Sequence, residues 1–327
     1  MSGTTLLNII ETIETLEQVR DRILNIQSIS TIRNVPEEQL QHLEQNDREF
    51  LSMWRRAGDI STEILNFTLP NQEPIRYLVR EAYVETSRRR SNMFDENGQI
   101  LPKEQRTIIE IVQTIFFELN NRVYSVLMTS SVTSINKVKK LFGDYLKELD
   151  NDEEINIADY KIDPDLFYWL FYKHEKNNGL IEARFEVSSI AGFIGNIADE
   201  SHTVTGNSDV TPSLLVTKAF VSKYHPFKSL DVLLKYHNYK FNFIFNDSSE
   251  CFIRSSCSIP NLRIDKKIAS VLIIYGFIIP RLFTLFNDDE IWDEEGTTTE
   301  FAKEVGIQVI REIADFHGLA IEDIIEN

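Results

Sequence analysis

Three groups of residues in this chain combine reactive types with closeness in sequence. The first lies in the segment 192–212, which holds Gly192, Gly195 and Gly206, three of the chain's 12 glycines, together with Asp199, Glu200 and His202. Carboxylates and an imidazole in one polar loop can hold a divalent ion or supply a general base, and such loops commonly carry sites. Residues adjacent in sequence seldom converge on one point, so a surface hairpin with ordinary turn chemistry competes with that reading. The glycines fit neither G-x-G-x-x-G nor G-x-x-x-x-G-K-[ST], the spacings that bring backbone N–H groups around phosphate.

The second group is Asp247, Glu250 and the run Asp265, Lys266, Lys267. Two carboxylates that hold Mg²⁺ and a lysine that stabilises developing charge are what a metal-dependent nuclease or hydrolase requires. The spacing of these residues is not diagnostic. The third group, His225, His237, Cys251 and Cys257, has the elements of a zinc set. It lacks the paired C-x₂-C or H-x₃-H geometry that chelation favours, so no zinc site is expected and the cysteines should face the core. No cofactor is expected, and a divalent metal enters only with the nuclease alternative, through acidic residues at 199–209 and 247–265.

Arginine and acid are segregated along the chain. Arg88, Arg89 and Arg90, with Arg76 and Arg80 upstream, form the main basic cluster, and guanidinium forks grip carboxylate or phosphate bidentately. At the other end, residues 287–327 hold 13 Asp and Glu against 2 Lys and Arg, net −11 of the chain's −17. Within that end Asp288 and Asp289 flank Trp292, and an indole exposed among carboxylates would suit an interaction motif. The expected pairing is Arg88 to Arg90 against an acidic surface, either 288–295 of another copy or a partner protein. A total of −17 argues against the chain as a general nucleic-acid ligand, because phosphate neutralisation needs clustered cations.

These groups must be positioned by the elements between them. The spacing of Leu6, Ile9, Ile13, Leu16 and Ile23 predicts an amphipathic helix. Pro36 followed by Glu37 and Glu38 predicts the start of a second, running towards Phe67. Helical spacing is also read over 75–92 and from Pro102 to Leu119, with a buried strand at 122–129 and a short helix to Leu149. Asp163-Pro164 signals a further helix start, with Gly179 as its stop. Alternating Leu230, Val232, Leu234, Tyr236 and then Tyr239, Phe241, Phe243, Phe245 predict a hairpin turning at His237-Asn238, continued into a meander over 229–254. Residues 181–193 are expected in the same sheet.

The most apolar segment, 268–286, is interrupted by Pro280 and Arg281 and is short for a membrane span, which needs roughly 20 apolar residues. A core helix is expected, followed by a capped acidic helix starting at 297–300, with Phe301, Val305, Ile310, Ile313 and Phe316 as its stripe and Gly318 as its end. Two cysteines and no signal-like N-terminus place the chain in the cytoplasm.

The sequence thus predicts an α+β protein. A helical region over 1–150 precedes an α+β domain over 151–327 with a mainly antiparallel sheet and packed helices. The functional expectation is a non-catalytic subunit or adaptor of a multiprotein assembly, binding a protein partner or another copy, and a bacterial conflict or antiviral defence setting is compatible with it. The alternative is the metal-dependent nuclease or hydrolase.

Overall fold

The structure, a computed structural model, describes residues 2–33, 35–58, 63–147, 157–196, 203–207, 211–248, 250–294 and 296–319. It is a mixed α and β architecture built on antiparallel sheets with packed helices, and its contacts divide it into two units. One comprises Gly3–Thr68 and Gln72–Asp152, and the other is mainly Glu153–Asn327.

The N-terminal unit is not helical. Its strands are β1 (Ser2–Asn8), β2 (Gln27–Thr31), β3 (Glu49–Arg56), β4 (Leu65–Thr68), β5 (Pro74–Ser87), β6 (Thr107–Leu119) and β7 (Arg122–Leu127). They run β1-β7-β6-β5-β3-β2, all antiparallel, with β4 also on β5. Of the expected helices, the stretch after Pro36 yields only the single turns Glu37–Leu40 and Gln45–Arg48, and that after Pro102 only Lys103–Arg106. The reason is side-chain shape. Ile108, Ile109, Ile111, Val112 and Ile115 are β-branched and lose rotamer freedom in a helix but fit a pleated surface.

Spacing misleads here because the middle of β5 is buried on both faces, from Tyr77 to Val79 and from Ala82 to Val84. A strand covered on both sides carries no period of two. Leu6, Ile9, Ile13, Leu16 and Ile23 are all buried as their stripe predicted, yet they arrive from a strand, a loop and the irregular turns Leu16–Gln18 and Val19–Ile23. Strand β7 and the helix α1 (Val132–Lys139), N-capped by Ser131, follow the expected assignment, and of the first expected helix only the part Leu16–Ile23 is helical. Helix α1 lays Ile135 and Val138, with Leu141 and Phe142 beyond it, on Trp54, Val84, Val112 and Phe116.

The C-terminal unit follows the sequence closely. Helix α2 (Pro164–Lys176) is capped by Asp163, which accepts from the Asp165 N–H at 2.8 Å, and the chain leaves through Gly179 at φ +79°. Strands β8 (Leu180–Glu182), β9 (Phe185–Asn196), β10 (Thr203–Asn207), β11 (Phe227–Tyr236), β12 (Tyr239–Asn246) and β13 (Glu250–Ile253) form a sheet ordered β10-β9-β11-β12-β13, with β8 on β9. The hairpin pairs Tyr236 with Tyr239, as the alternation predicts. Between β10 and β11 lies α3 (Leu215–Ser222).

Helix α4 (Lys266–Asn287) is the only described helix long and apolar enough to cross a membrane by length and composition, and 78% of its most apolar stretch is buried inside the protein. It accommodates Pro280 by widening into a π turn over Ile274–Ile278, where the Ile279 N–H reaches the carbonyl of Ile274. In that turn the carbonyl of Tyr275 would look to residue 280, and proline has no N–H to give. The hydroxyl of Tyr160 donates to the Tyr275 carbonyl instead.

Helix α5 (Thr297–His317) ends at Gly318 in the left-handed region, but it is not side-chain capped at its start, where Gly296 sits at φ +101°. Its buried stripe is Phe301, Ala302, Val305, Val309 and Ala314, so Ile310, Ile313 and Phe316 are exposed, contrary to expectation. The rotation follows from packing on α3: a Cβ on Gly306 would meet that of Ser222 at 3.3 Å, which fixes the face of α5 turned inward.

Candidate functional site: a basic cleft in the N-terminal unit

Arg88, Arg89 and Arg90 follow directly on β5, and their position is set by a buried post. Arg106, fully buried, donates from Nε to the carbonyl of Leu101 at 2.9 Å and from its other arm to the carbonyl of Asp47. Its backbone carbonyl accepts from the Arg88 N–H at 2.8 Å, closing the end of the β5–β6 ladder. Burial holds the Arg106 guanidinium below its ordinary pKa, against the opposing pull of Asp47 and Glu104. Beyond Arg88 the chain makes one tight turn, Arg90–Asn92, and returns through Met93 into a small core with Ile32 and Phe50.

The cleft this creates has a volume of about 420 Å³ and is lined by Ser30, Thr31, Arg33, Phe50, Thr86, Ser87, Arg88, Arg89, Arg90, Met93 and Lys140. That is within the roughly 300–1,000 Å³ typical of ligand sites. Sheet register brings the contributors together. Ser30 pairs with Phe50 across β2 and β3, and Thr86 lies on the neighbouring β5, on the side of the sheet that carries the core. Lys140 comes from the C-terminal end of α1.

Its floor is apolar, Phe50 and Met93 being 2% exposed, and its rim is cationic. Five cations, Arg33, Arg88, Arg89, Arg90 and Lys140, line it with four hydroxyl residues and no carboxylate. Among the described residues none of the five cations is in an ion pair. Hydrogen-bond donors converging without an anionic neighbour make a site for an oxyanion. Among the described residues its lining includes no His, Asp, Glu or Cys.

The expected partners of the arginine cluster are dispersed. On a helix Arg76 and Arg80 would share a face near Arg88. On a strand rising about 3.3 Å per residue, Arg76 lies roughly 40 Å from Arg88. Arg76 is bound to Glu118 at 2.9 Å and to Glu17. Arg80, 7% exposed, donates to the Val79 carbonyl at 2.8 Å, and burial, helped by Arg56, lowers its pKa. Both are structural. Arg33 and Lys140, which complete the cleft, were missed because nothing in the sequence joins residues 33, 88 and 140 except a strand order.

The acidic interaction motif is also revised. Trp292 is 7% exposed and packs on Tyr172, with centroids 5.2 Å apart. Asp289 is ion-paired with Lys173 at 2.5 Å and accepts from the indole N–H of Trp169 at 2.7 Å. Burial would raise the Asp289 pKa, but Lys173 and Trp169 outweigh it and hold the carboxyl below its ordinary value. This segment folds inward because its aspartate and indole find partners on α2. Asp288 alone of the three is exposed.

Asp199, Glu200 and His202 lie outside the described residues. The glycines near them serve packing. A Cβ on Gly195 would fall 2.3 Å from the Phe220 ring and one on Gly206 2.9 Å from that of Phe193, so the first allows α3 to approach β9 closely and the second a cross-strand ring on β9.

The carboxylates of the nuclease alternative have local tasks. Asp265 caps α4, accepting from the N–H groups of Lys267 at 2.8 Å and Ile268 at 3.2 Å. Glu250 accepts from the side chain of Asn246 at 3.1 Å, and Asp247 accepts from the Ser248 hydroxyl at 3.1 Å in the β12–β13 turn. Among the described residues no group of three His, Cys, Asp or Glu side chains is arranged to hold a metal. Cys251 is fully buried, and burial pushes its thiol up to about 12, with the Tyr275 hydroxyl opposing. No protein-family model matches this chain, and no similar characterised protein was found.

Proposed function

We propose that the protein is a non-catalytic subunit or adaptor of a cytoplasmic assembly, and that its N-terminal unit binds an acidic segment of a partner protein in the cleft of Arg33, Arg88, Arg89, Arg90 and Lys140. The observation that carries this reading is the convergence of five cations, none of them in an ion pair among the described residues, on a lining without carboxylates. In a chain of net charge −17 such a patch is locally opposite to the protein's overall field. An acidic ligand meets long-range repulsion and short-range capture, which favours ligands shaped to enter the cleft over diffuse polyanions. The buried floor of Phe50 and Met93 limits the ordering cost of binding.

The test is a titration with a fluorescent glutamate-rich peptide, read by anisotropy. Wild type should bind it, salt should weaken binding, and the charge reversal of Arg88→Glu, Arg89→Glu and Arg90→Glu should abolish it while circular dichroism stays unchanged. Equal binding by the reversed variant would sink the proposal. So would tighter binding of a single-stranded oligonucleotide than of the peptide at the same cleft.

A further inference from the structure

The first half of β6 presents a free sheet edge. Strand β7 pairs with β6 only from Thr114 to Leu119, whereas β5 pairs with it from Thr107 to Phe117. Residues 107–112 therefore have a neighbour on one side alone. The hydrogen-bond phase gives the direction of each residue. The Met128 N–H bonds the Gln113 carbonyl on the β7 side, and the Arg88 N–H bonds the Arg106 carbonyl on the β5 side. Alternation then turns the main-chain groups of Ile108, Glu110 and Val112 to β5 and those of Thr107, Ile109 and Ile111 outward. Among the described residues nothing bonds the outward main chain of Ile109 or Ile111.

The side chains of this edge are equally uncovered. Ile108, Ile109 and Ile111 are 46%, 55% and 58% exposed. Folded monomers protect such edges with lysine, proline, a bulge or a covering element. Among the described residues the segment 107–112 has none of these along its outward edge, and its one charge, Glu110, is held by Lys137 of α1 at 3.0 Å. An apolar, unprotected edge of this kind recruits another strand.

We infer that the occupant is the same segment of a second copy, paired antiparallel about a two-fold axis at Ile109. In that register Ile109 faces Ile109, Thr107 faces Ile111 and Ile108 faces Glu110. The outward-turned residues meet as hydrogen-bonded pairs, and no like charges stand opposite. The pairing is isologous and closes on itself, whereas addition of the β2 edge to β6 would leave both ends open and grow a filament. Edge strand β2 is also the poorer competitor, since its one exposed apolar residue, Ile29, stands among serines and a threonine. This pairing is independent of the basic cleft and extends the adaptor reading to a dimeric one.

The experiment has two arms on the full chain. Light scattering after size exclusion should give twice the chain mass of 38.0 kDa for wild type and the single mass for Ile109→Lys with Ile111→Lys. Both replaced side chains are already in solvent, so the variant should keep the wild-type circular dichroism and melting behaviour. In the second arm Ile109→Cys should cross-link covalently to itself without reductant, because the native Cys251 and Cys257 are buried. A strictly monomeric wild type, a dimer that survives the double lysine variant, or self-cross-linking of Ile29→Cys in place of Ile109→Cys would each overturn the inference.

Discussion

The cations of the N-terminal cleft and those paired within the C-terminal unit differ in what they face. In the C-terminal unit Lys173 meets Asp289, Arg254 meets Asp231, Arg281 meets Glu182, and Lys176 and Lys218 meet Glu304 and Glu312 on α5. In the N-terminal cleft Arg33, Arg88, Arg89, Arg90 and Lys140 face one another and solvent. Residue type is the same in both places, and only the fold separates them. A cation neutralised within its own unit contributes to stability, while one held among like charges is available for the ligand proposed above. Like-charge crowding costs stability, so its presence on an otherwise acidic chain is the stronger functional signal.

The comparison breaks first, and most visibly, at Lys173. Both members of the Lys173–Asp289 pair are about nine-tenths buried, so Lys173→Met strands a carboxylate in low dielectric. The expected loss is about 3–5 kcal/mol in urea denaturation, since removing one partner of a buried pair leaves an uncompensated charge. A loss below about 1 kcal/mol, the range of exposed pairs, would place this pair among surface interactions and weaken the contrast.

A neutral group tests the same principle at smaller scale. Tyr160→Phe removes the hydroxyl that donates to the Tyr275 carbonyl, in the turn where Pro280 has no N–H to offer. One unsatisfied buried carbonyl costs about 1–3 kcal/mol, and the isosteric ring preserves packing. Urea midpoints should fall at constant slope, and an unchanged midpoint would mean that the π turn satisfies itself.

Acid unfolding sharpens the electrostatic side. The Asp289 carboxyl is held below its ordinary value in the folded state, so the unfolded chain binds its proton first as pH falls. The stability contributed by this group is fully present above the ordinary Asp value, about 3.9, and is lost as pH drops through the lowered folded value. Asp289→Asn should flatten that part of the stability curve while leaving the neutral-pH slope unchanged. A variant whose acid limb matches wild type would remove Asp289 from the account.

Legibility in the sequence followed the same division. The hairpin over β11 and β12, the caps at Asp163 and Gly318 and the buried α4 were readable because one face or one terminus carried a distinct pattern. In β5 and β6 both faces are apolar, and Leu78, Ala82 and Tyr83 match a helix as well as a strand, so spacing there favours helices where the chain forms strands. β-branching at Ile108, Ile109, Ile111 and Val112 was the signal that should have outweighed spacing. The cleft was half legible. Arg88 to Arg90 stand together in sequence, but Arg33 and Lys140 join them only through the order β2-β3-β5 and the docking of α1, which no local pattern encodes. The acidic Trp292 segment misleads for a related reason, since its partners Lys173, Trp169 and Tyr172 lie about 120 residues earlier on α2.

The smallest expected effect is the most discriminating between the two kinds of cation. Arg88→Ala, Arg89→Ala and Arg90→Ala remove side chains that are exposed and unpaired, so each should leave stability within about 0.5 kcal/mol of wild type. Relief of crowding among five cations can even give a slight gain, largest at low ionic strength, where screening over a Debye length of about 10 Å at 0.1 M is reduced further. Thermal melts in low and high salt measure both. If any of the three alanine variants unfolded as readily as Lys173→Met, that arginine would hold the β5–β6 end together rather than await a ligand, and the cleft would lose that cation as a binding group.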